Sequence, residues 1–204
     1  MLVLITGFEP FGDFPINSSQ ECVQALQQDR QLSKWLSFET CILPVERKHS
    51  FELLASYLKN KSFTHIFLMG MASHSIRISV EKVAINWSHY SIPDNAQQQP
   101  IDERIEPEAP DAYFSNMPVL SLASLQPTHI PLQLSLSAGS YVCNDLYFRT
   151  LHWVTVHHYP AKVVFLHLPM LISAQFPDNT SGPTFSKEEI YEDVVQIISR
   201  GVME

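Results

Sequence analysis

The chain is poor in cysteine, in basic residues and in long apolar runs. It has only three cysteines, Cys22, Cys41 and Cys143. An odd number so widely spread makes a poor disulfide framework and fits free thiols in a reducing cytoplasm. Its 13 Lys and Arg stand against 21 Asp and Glu, a formal net charge of −8. With no basic cluster to form an electrostatic footprint, nucleic acid is excluded as the expected partner. The longest apolar stretch, 163–172, is broken by His167 and Pro169, and no run approaches the ~20 residues of a membrane span. Met1-Leu-Val-Leu-Ile-Thr-Gly7 lacks the basic lead and long apolar core of a signal peptide. Neither Gly70-Met-Ala72 nor any other loop matches a phosphate-binding glycine pattern. The expectation is a cytoplasmic chain without a membrane or nucleic-acid partner.

What is present suits one folding unit. The 204 residues are 45% apolar and 17% charged, enough to bury a core without staples. Residues 2–6 read as a buried strand entering a turn-rich loop, Phe8-Glu-Pro-Phe-Gly-Asp-Phe-Pro15. Asn17-Ser-Ser19 can cap a helix over 18–29, with Cys22, Val23 and Leu26 on one face. Strands follow at 38–45, stopped near Pro44, and at 64–70, with a helix over 47–60 between them; a further strand covers 77–86. Residues 87–130 are rich in Pro, Asp, Asn and Gln, yet Trp87, Tyr90, Tyr113 and Phe114 predict a packed, irregular excursion. A helix over 141–158, a strand over 162–167 and a capping box, Ser186-Lys-Glu-Glu189, opening a last helix complete the pattern. Continuous apolar strands alternating with amphipathic helices predict an α/β fold: a single three-layer domain over 1–204, its sheet mixed and mostly parallel with helices on both faces. Ligands then sit beyond the strand ends.

Three residues stand out chemically. Cys143 follows Ala138-Gly-Ser140 and falls in the first turn of a predicted helix, where backbone amides favour an anion and can hold an oxyanion. Against this, free cysteines are among the most buried residues, and Cys22 and Cys41 take that structural role. Asp145, two residues on, adds negative charge that opposes a thiolate. His167 ends a buried strand and can act as a base, or be a histidine satisfied locally. Glu81 lies inside the apolar strand Val80-Glu-Lys-Val-Ala-Ile-Asn86, where it can orient an imidazole or simply alternate outward. His152, His157 and His158 share no helix face well and lack completing ligands, so no metal site is expected. On spacing alone Phe8, Phe11 and Phe14 read as core.

Gly7-Phe-Glu-Pro-Phe-Gly12 followed by Asn17, Glu81-Lys-Val-Ala-Ile-Asn86, Ile92-Pro-Asp-Asn95, Ala112-Tyr-Phe-Ser115, Ala138-Gly-Ser-Tyr-Val-Cys-Asn144 and His167-Leu-Pro169 together resemble the pyroglutamyl peptidase I (pyrrolidone-carboxylate peptidase) family, in family order along the chain. The resemblance implies a Cys-His-Glu triad at Cys143, His167 and Glu81. It also implies removal of an N-terminal 5-oxoproline from peptides, with a lactam pocket drawing on Phe11, Asn17, Met71 and Val142. It implies no cofactor and no metal, and a possible homodimer or homotetramer. Two positions depart from the family pattern: Met71-Ala-Ser-His-Ser75 stands where the family usually has a Gln-Ala-Gly-Gly-Arg type segment, and Ser91 where it has an active-site arginine. The alternative reading is a catalytically weak or inactive relative that binds N-terminally capped peptides.

Overall fold

Strand alternation sets the architecture. In the computed structural model, which describes residues 1–171 and 185–204, the chain runs β1 (Val3–Phe8), α1 (Ser18–Gln28), α2 (Leu32–Trp35), β2 (Phe38–Leu43), α3 (His49–Asn60), β3 (His65–Met71), β4 (Ile78–Glu81), β5 (Val83–Ile85), β6 (Ala112–Phe114), α4 (Val119–Ala123), β7 (Leu132–Ser135), α5 (Val142–Val156), β8 (Lys162–Leu168) and α6 (Lys187–Met203). Six strands form one sheet in the order β2-β1-β3-β8-β4-β7. All neighbours are parallel except β4 and β8.

Side chains alternate across a strand, and here each parity meets its own helices. Val3 and Ile5, Phe67 and Met69, Ile78 and Val80, and Val164, Leu166 and Leu168 join α1, α4 and α6 in one apolar cluster. Leu4 and Phe8, Ile66 and Leu68, and Val163 and Phe165 join α3 and α5 in the other. The result is a three-layer α/β fold with helices on both faces of a mixed, mostly parallel sheet. The predicted caps are in place: the Asn17 side chain accepts from Ser19 N at the start of α1, and Ser186 and Glu189 form the capping box of α6.

The predicted strand 77–86 is two strands. At Lys82 the chain turns away from the sheet, its N–H donating to Ser135 O and its carbonyl accepting from Ser115 N, and β5 pairs antiparallel with β6 instead. This ribbon covers the outer side of α5: the rings of Tyr113 and Phe148 lie 5.2 Å apart. The excursion is packed, as expected, but it holds β6 and α4, and the edge strand β7 follows it. These short elements lack a clean period in the sequence. Much of the loop turns on Asn86, buried, whose Nδ2 donates to Glu106 O and Ala109 O and whose Oδ1 accepts from the amides of Ile105 and Glu106.

Candidate active site

Strand parity brings the three candidate residues together. His167 shares the parity of Val163 and Phe165, so it faces α5. In the antiparallel β4–β8 pair Glu81 lies opposite Phe165 and Ser79 opposite His167, which turns Glu81 to the same face while Val80 goes to the other core. Cys143 is the second residue of α5 and packs, half-buried, against this side. Gly70 of β3 lies beneath it: a Cβ there would stand 2.9 Å from Cys143 Sγ and 2.9 Å from Phe165 Cζ, so glycine is what lets the thiol sit so close to the sheet.

His167 Nδ1 meets Glu81 Oε1 at 2.8 Å, with the Glu81 side chain only 2% exposed and the imidazole 13%. Burial alone would lower the histidine, but its interactions with neighbouring Cys143 and with Glu81 prevail and raise it to about 10. The second carboxylate oxygen, Glu81 Oε2, is buried without a hydrogen-bond partner among the described residues. Cys22 and Cys41 are buried, and burial pushes their thiols up, Cys22 to about 12. They are placed as core residues.

Tyr141, the N-cap of α5, makes no side-chain capping hydrogen bond, and the first amides of a helix have no intrahelical acceptor. Gly139 ahead of it takes a φ of +80°, a left-handed turn that favours glycine. Asp145 does not stand as a free negative charge behind the thiol. It is fully buried and neutralised by Arg149, whose Nε lies 2.6 Å from its Oδ1, with Arg47 Nε at 3.7 Å and Ser88 Oγ at 3.2 Å from Oδ2. The expected opposition to the helix dipole is therefore removed by pairing, with Arg149 one helical turn on and with Arg47 and Ser88 far away in sequence.

Beside Cys143 and His167, past the C-terminal ends of β1, β3 and β8, lies a cavity of about 130 Å³. Phe11, Asn17, Met71 and Val142, the four expected pocket residues, all border it, and Phe8, Val45, Ala138 and Tyr141 complete the wall. Tyr141 stands in the same Ala138-to-Asn144 fragment that marks Cys143, and Phe8 and Val45 follow the rule that ligands lie beyond strand ends. Of the phenylalanines read as core on spacing, Phe8 is core and cavity wall at once, while Phe11 lines the cavity with Phe14 packed on it at 5.5 Å between centroids. Asn17 is mostly structural: its Oδ1 accepts from Ser19 N and Ser19 Oγ, and its Nδ2 donates to Glu9 O.

The remaining motif residues brace this wall. Glu9 Oε1 accepts from Val45 N and Asn95 Nδ2, Asn95 also donates to Pro10 O, and Tyr141 Oη donates to Pro93 O. Asp94, buried, accepts from Arg47 N and Gln98 N. Asn144 fixes the first turn of α5 to β5, accepting from Ile85 N and donating to the carbonyls of Ile85 and Trp87. His152 is bonded to Tyr113 Oη and His157 to the Trp153 carbonyl. Among the described residues no group of three or more His, Cys, Asp or Glu side chains is placed to hold a metal ion, and no helix is long and apolar enough to cross a membrane.

Comparison with known proteins agrees with this geometry. The sequence profile of the family described as pyroglutamyl peptidase matches residues 1–202. The pyrrolidone-carboxylate peptidase of Thermococcus litoralis is 38% identical over 168 residues, 82% of this chain and 76% of the relative. That of Vibrio vulnificus is 39% identical over 170 residues, 83% and 78% of the two chains. Among solved structures, the pyrrolidone carboxyl peptidase of Fervidobacterium islandicum superposes with a TM-score of 0.90 at 32% identity, covering 98% of this chain and 97% of its own. The pyroglutamyl peptidase I of Bacillus amyloliquefaciens gives 0.88 at 27% identity, covering 100% and 97%. The chain belongs to the pyroglutamyl peptidase family.

Proposed function

We propose that this chain is a cysteine omega peptidase that removes N-terminal pyroglutamate from peptides, with Cys143 as nucleophile, His167 as acid and base, and Glu81 as the group that orients His167. The carrying observation is the chain of contacts from Glu81 to His167 to Cys143 at the edge of a small apolar cavity. With Nδ1 bound to Glu81, Nε2 is the nitrogen left to serve the thiol. His167 takes the thiol proton, giving a thiolate beside an imidazolium.

The thiolate attacks the carbonyl carbon that follows the lactam ring, and the carbonyl electron pair moves to oxygen, where amides of the first turn of α5 can hold it. Collapse breaks the C–N bond, and His167 gives its proton to the leaving amine. The remaining acyl-enzyme is a thioester. His167 then removes a proton from water, which adds to the thioester carbonyl; the C–S bond breaks, releasing pyroglutamate and restoring the thiolate–imidazolium pair.

The cavity wall explains the choice of substrate. A lactam is small and neutral, and walls of Phe8, Phe11, Val45, Met71 and Val142 cost it little. A charged N-terminal amine would have to be desolvated there without a counter-charge. Free cysteines support a cytoplasmic location. Met71 on the cavity wall and the exposed Ser91, the two departures from the family pattern, support weaker turnover than is usual for the family. Purified protein in a reducing buffer should release the fluorophore from a pyroglutamyl-coumarin substrate. No release from folded wild type would remove the peptidase reading in favour of a capped-peptide binder.

A further inference from the structure

Tyr147 lies one helical turn after Cys143 on α5 and is fully buried. Its hydroxyl donates to the Glu81 carbonyl at 3.0 Å. Glu81 and Phe165 face one another across β4 and β8, so this bond ties α5 to β4 at the rung that β4 shares with β8, the two strands that carry the proposed carboxylate and imidazole. The Tyr147 ring packs against Phe165 at 5.7 Å between centroids, and the Phe165 ring lies 4.7 Å from that of His167. These contacts close a loop: Cys143 to His167, His167 to Glu81, Glu81 to Tyr147, and Tyr147 back to Cys143 through a turn of helix.

Packing alone does not require this hydroxyl. Phenylalanine would fill the same apolar site, whereas a buried hydroxyl costs free energy unless it is hydrogen-bonded. Burial also pushes the phenol well above its ordinary value, so it remains a donor at any working pH. We propose that Tyr147 is a positioning residue for the reaction assigned above: its hydroxyl locks α5 onto the β4–β8 pair and keeps Cys143 in register with His167 and Glu81. The inference rests on the proposed triad and adds the element that holds it together.

The test is Tyr147→Phe, with Tyr159→Phe as control. The Tyr159 hydroxyl makes two comparable bonds, from Phe63 N and to Lys61 O, both 2.7 Å, away from the cavity. Tyr147→Phe should lower kcat about tenfold while KM stays within about twofold, and should shift the pH profile of Cys143 alkylation by iodoacetamide. Tyr159→Phe should lose comparable thermal stability and change neither. A Tyr147→Phe protein with the wild-type kcat and alkylation profile overturns the proposal. The alkylation measurement needs no peptide, so a shifted profile in a chain that releases no pyroglutamate would support the clamp while removing the peptidase reading. Should Tyr147→Phe fail to fold, the ¹³Cζ resonance of Tyr147 in the wild-type protein decides. It should move through the same pH transition as the His167 ring, and a resonance flat across that transition overturns the proposal.

Discussion

The two faces of the sheet are built from the same strands and do different work. The face under α1, α4 and α6 is apolar throughout, from Val3 and Ile5 through Phe67 and Val80 to Leu166 and Leu168. The face under α3 and α5 is equally well packed at its centre but carries Glu81 and His167 toward one edge, with Cys143 above them. One residue of strand register separates the two. The difference teaches that the sequence period of two, usually read as inside against outside, here separates an apolar core from one that carries the proposed triad.

The comparison is broken most sharply by paired substitutions. Cys143→Ala should abolish pyroglutamyl release with little loss of stability. Leu166→Ala, across the sheet, should cost about 2–5 kcal/mol of stability and leave kcat largely intact in the protein that remains folded. Urea unfolding and coumarin release on both variants check this.

The glycines make a second pair. A Cβ at Gly70 would meet Cys143 Sγ and Phe165 at 2.9 Å, while one at Gly201 of α6 would meet Phe67 Cζ at 2.8 Å. Gly70→Ala should move the thiol and cut kcat about a hundredfold. Gly201→Ala should cost about 1–3 kcal/mol by overpacking with kcat unchanged.

Glu81→Gln keeps the shape of the acceptor and removes its charge, so its effect should be smaller, about tenfold in kcat. The sign in pH is fixed by His167. Its folded value, about 10, lies above the ordinary 6.5, so the imidazolium is lost only as pH rises through the folded value. The alkaline limb of kcat/KM should therefore lie near pH 10 in wild type and move to lower pH in Glu81→Gln. By the same linkage, the stability that His167 contributes is complete below about 6.5 and lost as pH rises toward about 10. The variant should flatten that loss in a melting series.

Ser91→Arg should have the smallest effect, a modest rise in turnover. Unchanged turnover in a folded variant would move attention to Met71, which borders the cavity.

Much of this arrangement was legible in the sequence, but not its cause. The apolar strands at β1, β3 and β8, the Asn17 cap and the Ser186 capping box are local patterns, and local patterns can be read from neighbours alone. The triad was reached through family fragments; on spacing, Glu81 was as consistent with an exposed strand as with a site. What brings Glu81 beside His167 is that β4 runs antiparallel to β8, a pairing between residues about 86 positions apart that no local period encodes. The break at Lys82 and the ribbon over α5 were missed for the same reason, since their bonds go to Ser135, Ser115 and Asn144. Asp145 and Arg149 are an i,i+4 pair on a helix the sequence already predicts, whereas the approach of Arg47 needed the fold; together they reverse an expectation drawn from the charge of Asp145 alone.

The central claim is that reactivity is confined to one thiol on one face. Brief iodoacetamide treatment, followed by mass mapping and the coumarin assay on the same samples, tests it most directly. Peptide release should fall in step with alkylation of Cys143 while Cys22 and Cys41 stay unmodified. Equal labelling of all three cysteines in the folded protein, or full alkylation of Cys143 with release undiminished, would contradict the account.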